Sequence, residues 1–417
     1  MEKQNSRFRW IVFASVVFTY LLMSSQRTAP GLITDQIMND FNVSASTIGL
    51  LASIQFLVYT GLQIPMGIWA DRYGPNLFLI IGALLTGLGT IIYSLGTHES
   101  ILFIGRILTG TGDATIWVNM VLILGQWFTA KEFVRLIGLA GMTGSLGFLM
   151  ATVPFSQWIS ILGWRGAFFS IGILLCLCGI LLYFVLVKIP KSKMVNVDKT
   201  VQHEKLGHLL QRLISNRQAW ALFFCHFGLV GAYVGFIGSW AVPYGMNVYG
   251  LTRSGASQLV MMGLIGALLG APLMSGLSSR LEAIKKPYVV VHIVISLCWT
   301  TFLLLKGNPP LSLLFVLFFI IGFCYGASTL TFAVVRKTFP SIESGVISGF
   351  ANTGGFLSAV LLPGIFGMML DYYQTDQGHL ELGYSYGFVI PVIFSIIGLI
   401  GVLNIKEKGV ARNQPDV

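Results

Sequence analysis

The chain alternates long apolar runs with short polar segments. Twelve such runs lie at roughly 10–33, 47–69, 77–97, 101–124, 136–160, 166–187, 219–244, 255–277, 288–305, 311–334, 344–370 and 385–404. Each is long enough to cross a ~30 Å hydrocarbon core as a helix. In lipid every backbone amide must bond inside its own segment, so a helix is the form such a run takes. The pattern predicts an all-α membrane protein with twelve transmembrane helices.

Composition removes the other classes. Of 417 residues, 55% are hydrophobic and 10% charged, with a mean hydropathy of +0.78. Too few polar side chains remain to cover a soluble surface. The first run is too long for a removable signal peptide and lacks a small-residue cleavage site. Cys176, Cys178, Cys225, Cys298 and Cys324 all fall in apolar runs, where they read as small packing residues. There is no Gly-Lys-Ser/Thr loop, so ATP is not the expected energy source. No cofactor and no metal ion is expected.

Charge fixes the expected orientation. The chain ends and the segments 70–76, 125–135, 188–218, 278–287 and 335–343 carry 21 of the 26 Lys and Arg residues. The opposite loops carry only Arg165, Arg253 and Lys306. This bias places both termini in the cytoplasm of a multi-pass protein, expected in a bacterial cytoplasmic (inner) membrane. The net charge of +10 is then a topology signal, and no nucleic-acid partner is expected.

The longest basic connection, 188–218, divides the runs six and six. It suggests an N-terminal bundle over 1–187, a linker over 188–218 and a C-terminal bundle over 219–417. Leu206, Leu209, Leu210 and Leu213 recur at helical spacing in the linker, predicting an amphipathic helix on the inner membrane surface. The halves also echo one another. Gly61 to Gly67 and Gly270 to Gly276 each hold a proline between glycines six apart, and Thr143-Gly144 matches Thr353-Gly354. Such echoes favour a duplicated, pseudo-symmetric bundle with its site between the halves.

The candidate chemistry starts in the fourth run, where Arg106 and Asp113 interrupt an apolar segment. Ionisable groups in a membrane span are expensive and must face protein or a water-filled cavity. Seven residues apart, they share a helix face about 10 Å apart along the axis. Gly110 and Gly112 keep that helix slim for close packing. Two roles are open for the pair: proton coupling, or mutual charge balance that fixes packing.

The loop Gly67-Ile-Trp-Ala-Asp71-Arg72-Tyr-Gly74 resembles the signature loop of the major facilitator superfamily, and Arg106 with Gly110 and Gly112 resembles its fourth-helix motif. The usual trailing basic residue is absent, since Pro75 and Asn76 follow Gly74. The Gly-Pro motif of fifth helices in drug/proton antiporters is also missing. Gln26-Arg27, Ala29-Pro30, Gln63-Ile-Pro65-Met-Gly67 and Arg106 with Asp113 are similar to the anion:cation symporter branch, although Gln26 stands where some members have an acid. The resemblance implies two six-helix bundles in the major facilitator fold. It also implies an inner gate in which Gly67, Asp71, Arg72 and Gly74 pack against the eleventh helix.

Helix arithmetic lets Arg27 and Arg106 converge in the outer third of the membrane, above Asp113. Arg27 offers a permanently charged planar fork suited to a carboxylate or phosphate. Burial and nearby cations act oppositely on Asp113, which makes it the candidate proton carrier, with Arg106 beside it. Gln26, Tyr20, Asn352 and Trp240 are candidates to line the substrate site, each with a packing role as the alternative. His226 and His292 read as hydrogen-bonded structure. At the eleventh helix, Ser341 is the expected N-cap, and Glu343 would repel Asp71 unless Arg72 or Lys337 screens it.

These residues point to a secondary active carrier, not an enzyme, working by alternating access as a monomer in lipid. The favoured cargo is a small organic anion of the carboxylate type, imported with protons. The alternative is proton-coupled export of a drug or other hydrophobic or cationic compound.

Overall fold

The computed structural model describes residues 7–43, 45–151, 153–187, 206–377 and 380–406, and everything described is helical or connecting turn. Ahead of the central linker lie α1 (Phe8–Thr28), α2 (Thr34–Phe41), α3 (Ala45–Tyr73), α4 (Pro75–Ser94), α5 (Glu99–Trp127), α6 (Ala130–Met150) and α7 (Val153–Leu186). After it come α8 (Leu206–Ser215), α9 (Arg217–His226), α10 (Ala232–Ser239), α11 (Ala241–Tyr249), α12 (Arg253–Leu281) and α13 (Lys285–Leu304). The last five are α14 (Leu311–Gly326), α15 (Leu330–Thr338), α16 (Ser344–Gln377), α17 (Leu380–Gly387) and α18 (Val389–Leu403).

Eleven helical segments among the described residues are long and apolar enough to span a membrane. The 29-residue α3 coincides with the remaining predicted run, at 47–69. Three spans are built from joined pieces. A π-turn at Phe227–Gly231 links α9 to α10, a 3-10 turn at Ala327–Thr329 links α14 to α15, and α17 runs into α18. Such interruptions free backbone groups and occur where a helix borders a site.

The fifth predicted run, 136–160, is corrected: α6 starts six residues earlier and stops at Met150, and Val153 opens α7. Gly163, at φ 68° and ψ 165°, breaks α7, so the residues before it pack as a separate segment. Hydropathy alone joins the two because both are apolar. The α6 start has a local cause: Thr129 and Glu132 form a reciprocal capping box, and Arg9 pairs with Glu132 at 3.1 Å.

Large aromatics fill the C-terminal half. Phe236, Trp299, Phe302, Phe366 and Phe388 form one buried group whose ring centroids lie within 6.3 Å of a neighbour. In the N-terminal half α4 packs closely on α5 and α7 through glycines, Gly89 against Gly105 and Gly87 against Gly172. The linker helix α8 is present, and its Leu213 is buried while Ile214 is exposed. The predicted linker residues 188–205 lie outside the described residues.

Candidate substrate and coupling site

Three helices, α1, α3 and α5, bring the polar residues of the N-terminal half together. Arg27 sits in the last turn of α1, where helix carbonyls favour a positive charge. Its Nε donates to Asp113 Oδ2 at 3.3 Å, from the middle of α5. Gln55 on α3 donates to the same oxygen at 2.6 Å. The Arg27 guanidinium also lies over the ring of Tyr59, 4.7 Å from its centre, and near Phe356 across the bundle at 5.8 Å. Both charged partners are almost wholly buried, so neither is tolerable without the other or a substitute.

Arg27 Nη2 and Asp113 Oδ1 have no hydrogen-bond partner, although both are buried. A buried donor left unpaired in an otherwise satisfied site signals a ligand or a water. Arg27 faces a cavity between the halves, together with Tyr20, Trp117, His226, Tyr325 and Asn352. About 50 Å³ of space is free there, enough for a few water molecules. A sugar-sized solute would need the walls to part. The indole Nε1 of Trp117 is a second buried donor without a partner on this wall.

The sequence candidates separate into distinct places. Tyr20 lines the cavity and packs its ring 5.4 Å from Trp117. Arg106 does not converge with Arg27. Its Nε donates to the Leu51 carbonyl at 3.3 Å and its head lies over Tyr93, behind α3 and away from the cavity wall. Gln26 is buried but is not on the cavity wall, and its Nε2 has no partner. Trp240 sits at the break between α10 and α11 and donates to the Pro363 carbonyl at 3.0 Å.

Asn352 spans the halves. Its amide donates to Tyr59 OH at 2.9 Å and to Gln63 Oε1 at 2.6 Å, both on α3. His226 lines the opposite wall, and its Nδ1 bonds Thr331 Oγ1 at 3.3 Å, which bonds Tyr288 OH at 2.7 Å. The expectation of a hydrogen-bonded histidine is met at His226. At His292 neither ring nitrogen has a hydrogen-bond partner, and its ring packs on Tyr288 and beside Gly398.

Below the cavity α3 and α16 run antiparallel along a close seam. Residues 345, 349, 352 and 356 share one face of α16: Gly345 meets Asp71 and Gly67, Gly349 meets Gln63, Asn352 meets Gln63 and Tyr59, and Phe356 meets Tyr59, in reverse order along α3. A methyl group on Gly67 would overlap the Gly345 backbone, so the crossing requires glycine at both positions. Gly74 ends the signature loop at φ 89°, a left-handed conformation that glycine adopts freely.

Asp71 closes the seam. Its two oxygens accept from the Gly345 and Val346 amides, each at 2.8 Å, so it caps α16 from the other half. Ser341, expected to be the cap, instead accepts from Arg336 Nη1 at 2.9 Å. The 3-10 turn at Ser341–Glu343 precedes α16 and moves that hydroxyl off the helix start. Arg72 is exposed and lies over Tyr73. A cation from another element screens Glu343: Arg212 of α8 reaches Glu343 Oε1 at 2.7 Å.

Further contacts join the halves at this basic end. Arg135 donates to Ser279 Oγ at 3.1 Å, Lys131 pairs with Glu282 at 3.2 Å, and Arg336 donates to the Gly125 carbonyl. All lie on the side of the segments 125–135, 278–287 and 335–343. The basic end is shut in this arrangement.

Residues 12–363 match the family model of the Major Facilitator Superfamily. The chain belongs to that superfamily. Among curated relatives it is similar to a probable hexose phosphate transport protein of Chlamydia muridarum, 22% identical over 99% of this chain and 95% of the relative. It is also similar to a probable L-galactonate transporter of Escherichia coli strain K12, 24% identical over 87% of this chain and 82% of the relative. Among solved structures, the E. coli fucose:proton symporter superposes with a TM-score of 0.72 at 15% identity, covering 96% of this chain and all of the symporter. As a superfamily member this chain is a multi-pass membrane transporter, and the twelve-helix fold expected from its hydropathy holds.

Several site residues had only weak signals in the sequence. Trp117 falls four positions after Asp113, on the same helix face, which was a usable clue. Gln55 and Tyr59 are polar groups in an apolar run, and nothing in the sequence says which neighbour they meet. Tyr325 and Phe356 lie on the other half, and only the docking of the halves brings them to Arg27.

Proposed function

We propose that this transporter carries a small organic anion together with a proton. The observation that supports this most is the Arg27 guanidinium: it faces the cavity between the halves with Nη2 unpaired, while only its Nε is held by Asp113. A carboxylate is the natural acceptor for those free donors. The proton links to the anion through the same pair. When Asp113 takes up a proton its hold on Arg27 weakens, and the whole guanidinium becomes available to substrate. When substrate leaves, Arg27 returns to the ionised Asp113. Gln55 keeps a donor on the carboxyl group in both states. In this scheme Arg106 positions α5 against α3 and takes no direct part.

The two halves, 1–187 and 219–417, move against each other about the cavity, with 188–218 as the connector. The positive-inside bias puts the basic end and both termini in the cytoplasm, so the shut seam at Asp71 is the inner gate. Export of a cationic drug has less support. Asp113 is already engaged by Arg27 and Gln55, and the cavity wall presents a cation to the cargo.

The test is uptake into proteoliposomes of a carboxylate panel that includes galactonate. Arg27→Ala should nearly abolish uptake while leaving folded protein in the membrane. Arg27→Lys keeps the charge but loses the fork and should raise KM by ~10-fold or more. Normal uptake by the alanine variant would rule out the anion reading.

A further inference from the structure

The cavity also constrains the charge of its cargo. Eighteen residues line it, and Arg27 is the one Lys or Arg among them. The other polar groups on the wall, including Tyr20, Ser145, Ser328, Thr329 and Asn352, are neutral hydrogen-bonding groups, and His226 is committed through Nδ1 to Thr331. Arg106, the other arginine buried inside the N-terminal half, is spent on the Leu51 carbonyl and the Tyr93 ring. Arg135 and Arg336, on the helices α6 and α15 that also contribute to the wall, are held at the shut seam by Ser279 and by Gly125 and Ser341. Among the described residues Asp113 is the one fully buried acid, so the site contains one cation and one group able to release it.

We infer that the transported anion bears a single negative charge: a monocarboxylate is accepted, and dicarboxylates and phosphomonoester dianions are rejected. This rests on the organic-anion reading above and narrows it. With Asp113 protonated, Arg27 and one carboxylate neutralise each other inside the membrane. A dianion would leave one charge uncompensated in a low-dielectric cavity, where an unpaired ion is costly. The unpaired donors fit the same picture. Arg27 Nη2 and the indole N–H of Trp117 are unpaired donors on this wall, available to the oxygens of a carboxylate, and among the described residues the wall offers no second cation for another.

The experiment uses pairs matched in shape and differing by one charge: galactonate with galactarate, butyrate with succinate, and benzoate with phthalate, plus glucose 6-phosphate. Each is measured as radiolabelled uptake by the full chain in proteoliposomes at pH 7.5, with Arg27→Ala alongside. The expected result is Arg27-dependent uptake of at least one monocarboxylate, with its dicarboxylate partner and the sugar phosphate ~100-fold slower. Arg27-dependent uptake of a dicarboxylate or of the sugar phosphate at a comparable rate would overturn the inference and leave the organic-anion reading standing. If no member of the panel shows Arg27-dependent uptake, both fall.

Discussion

Replacing Asp71 by Asn tests the gate proposed at the α3–α16 seam directly. In the shut arrangement each carboxylate oxygen takes one amide hydrogen bond from the start of α16 at 2.8 Å. Asparagine keeps one acceptor of similar size but presents an amide donor to the second N–H. It also loses the charge that faces the positive end of the helix. One such bond and the charge–dipole term together amount to ~1–2 kcal/mol. The shut state should therefore lose a factor of about 5–30 against the state open on that side. Folding is little affected, because the rest of the α3–α16 seam, from Gly67 to Phe356, stays packed. The readout is the rate of maleimide labelling of Ser275→Cys, a fully buried position that packs against Gly138 at the contact between halves, in a background freed of the native cysteines. Labelling should rise severalfold in Asp71→Asn while transport slows. Slower transport with unchanged labelling would refute the gating argument, and the role of Asp71 would lie elsewhere.

The same gate makes a second, opposed pair of expectations. Arg212→Ala exposes Asp71 to the uncompensated charge of Glu343, so labelling at Ser275→Cys should rise by less than in Asp71→Asn, and adding Glu343→Gln should restore it. Gly67→Ala should block closure outright, because its methyl group meets the Gly345 backbone, giving constitutive labelling and loss of uptake in protein that still elutes as a folded species. Asp113→Asn should lose accumulation driven by a pH gradient while keeping part of substrate counterflow, since Asn can still accept from Gln55 and Arg27. Accumulation that still follows the proton gradient in Asp113→Asn would move the proton site to another residue, and replacing sodium by choline separates the two coupling ions.

Hydropathy is a local property, and it carried the count of spans, the helical class and the placing of Arg27 and Asp113 inside the membrane. Buried charge is expensive enough in lipid that its presence in a span demands a partner, which made Arg27 and Asp113 candidates. The Gly67–Gly74 loop was legible for a related reason: a tight turn and a close helix crossing demand particular residues in a particular order. Rotation and lateral docking of the helices are not written locally, because any apolar face can meet any other in lipid. Hence Arg106, on the same predicted face as Asp113, turned out to bond Leu51 and lie over Tyr93. Asn352 found its partners on the other half, and Trp240 was drawn to the Pro363 carbonyl. The cap of α16 came from residue 71, more than 270 positions away in the chain, while the nearby Ser341 was taken by Arg336. Partner choice among polar groups follows from which helices touch, and that is fixed only by how the helices pack within each half and how the two halves dock on one another.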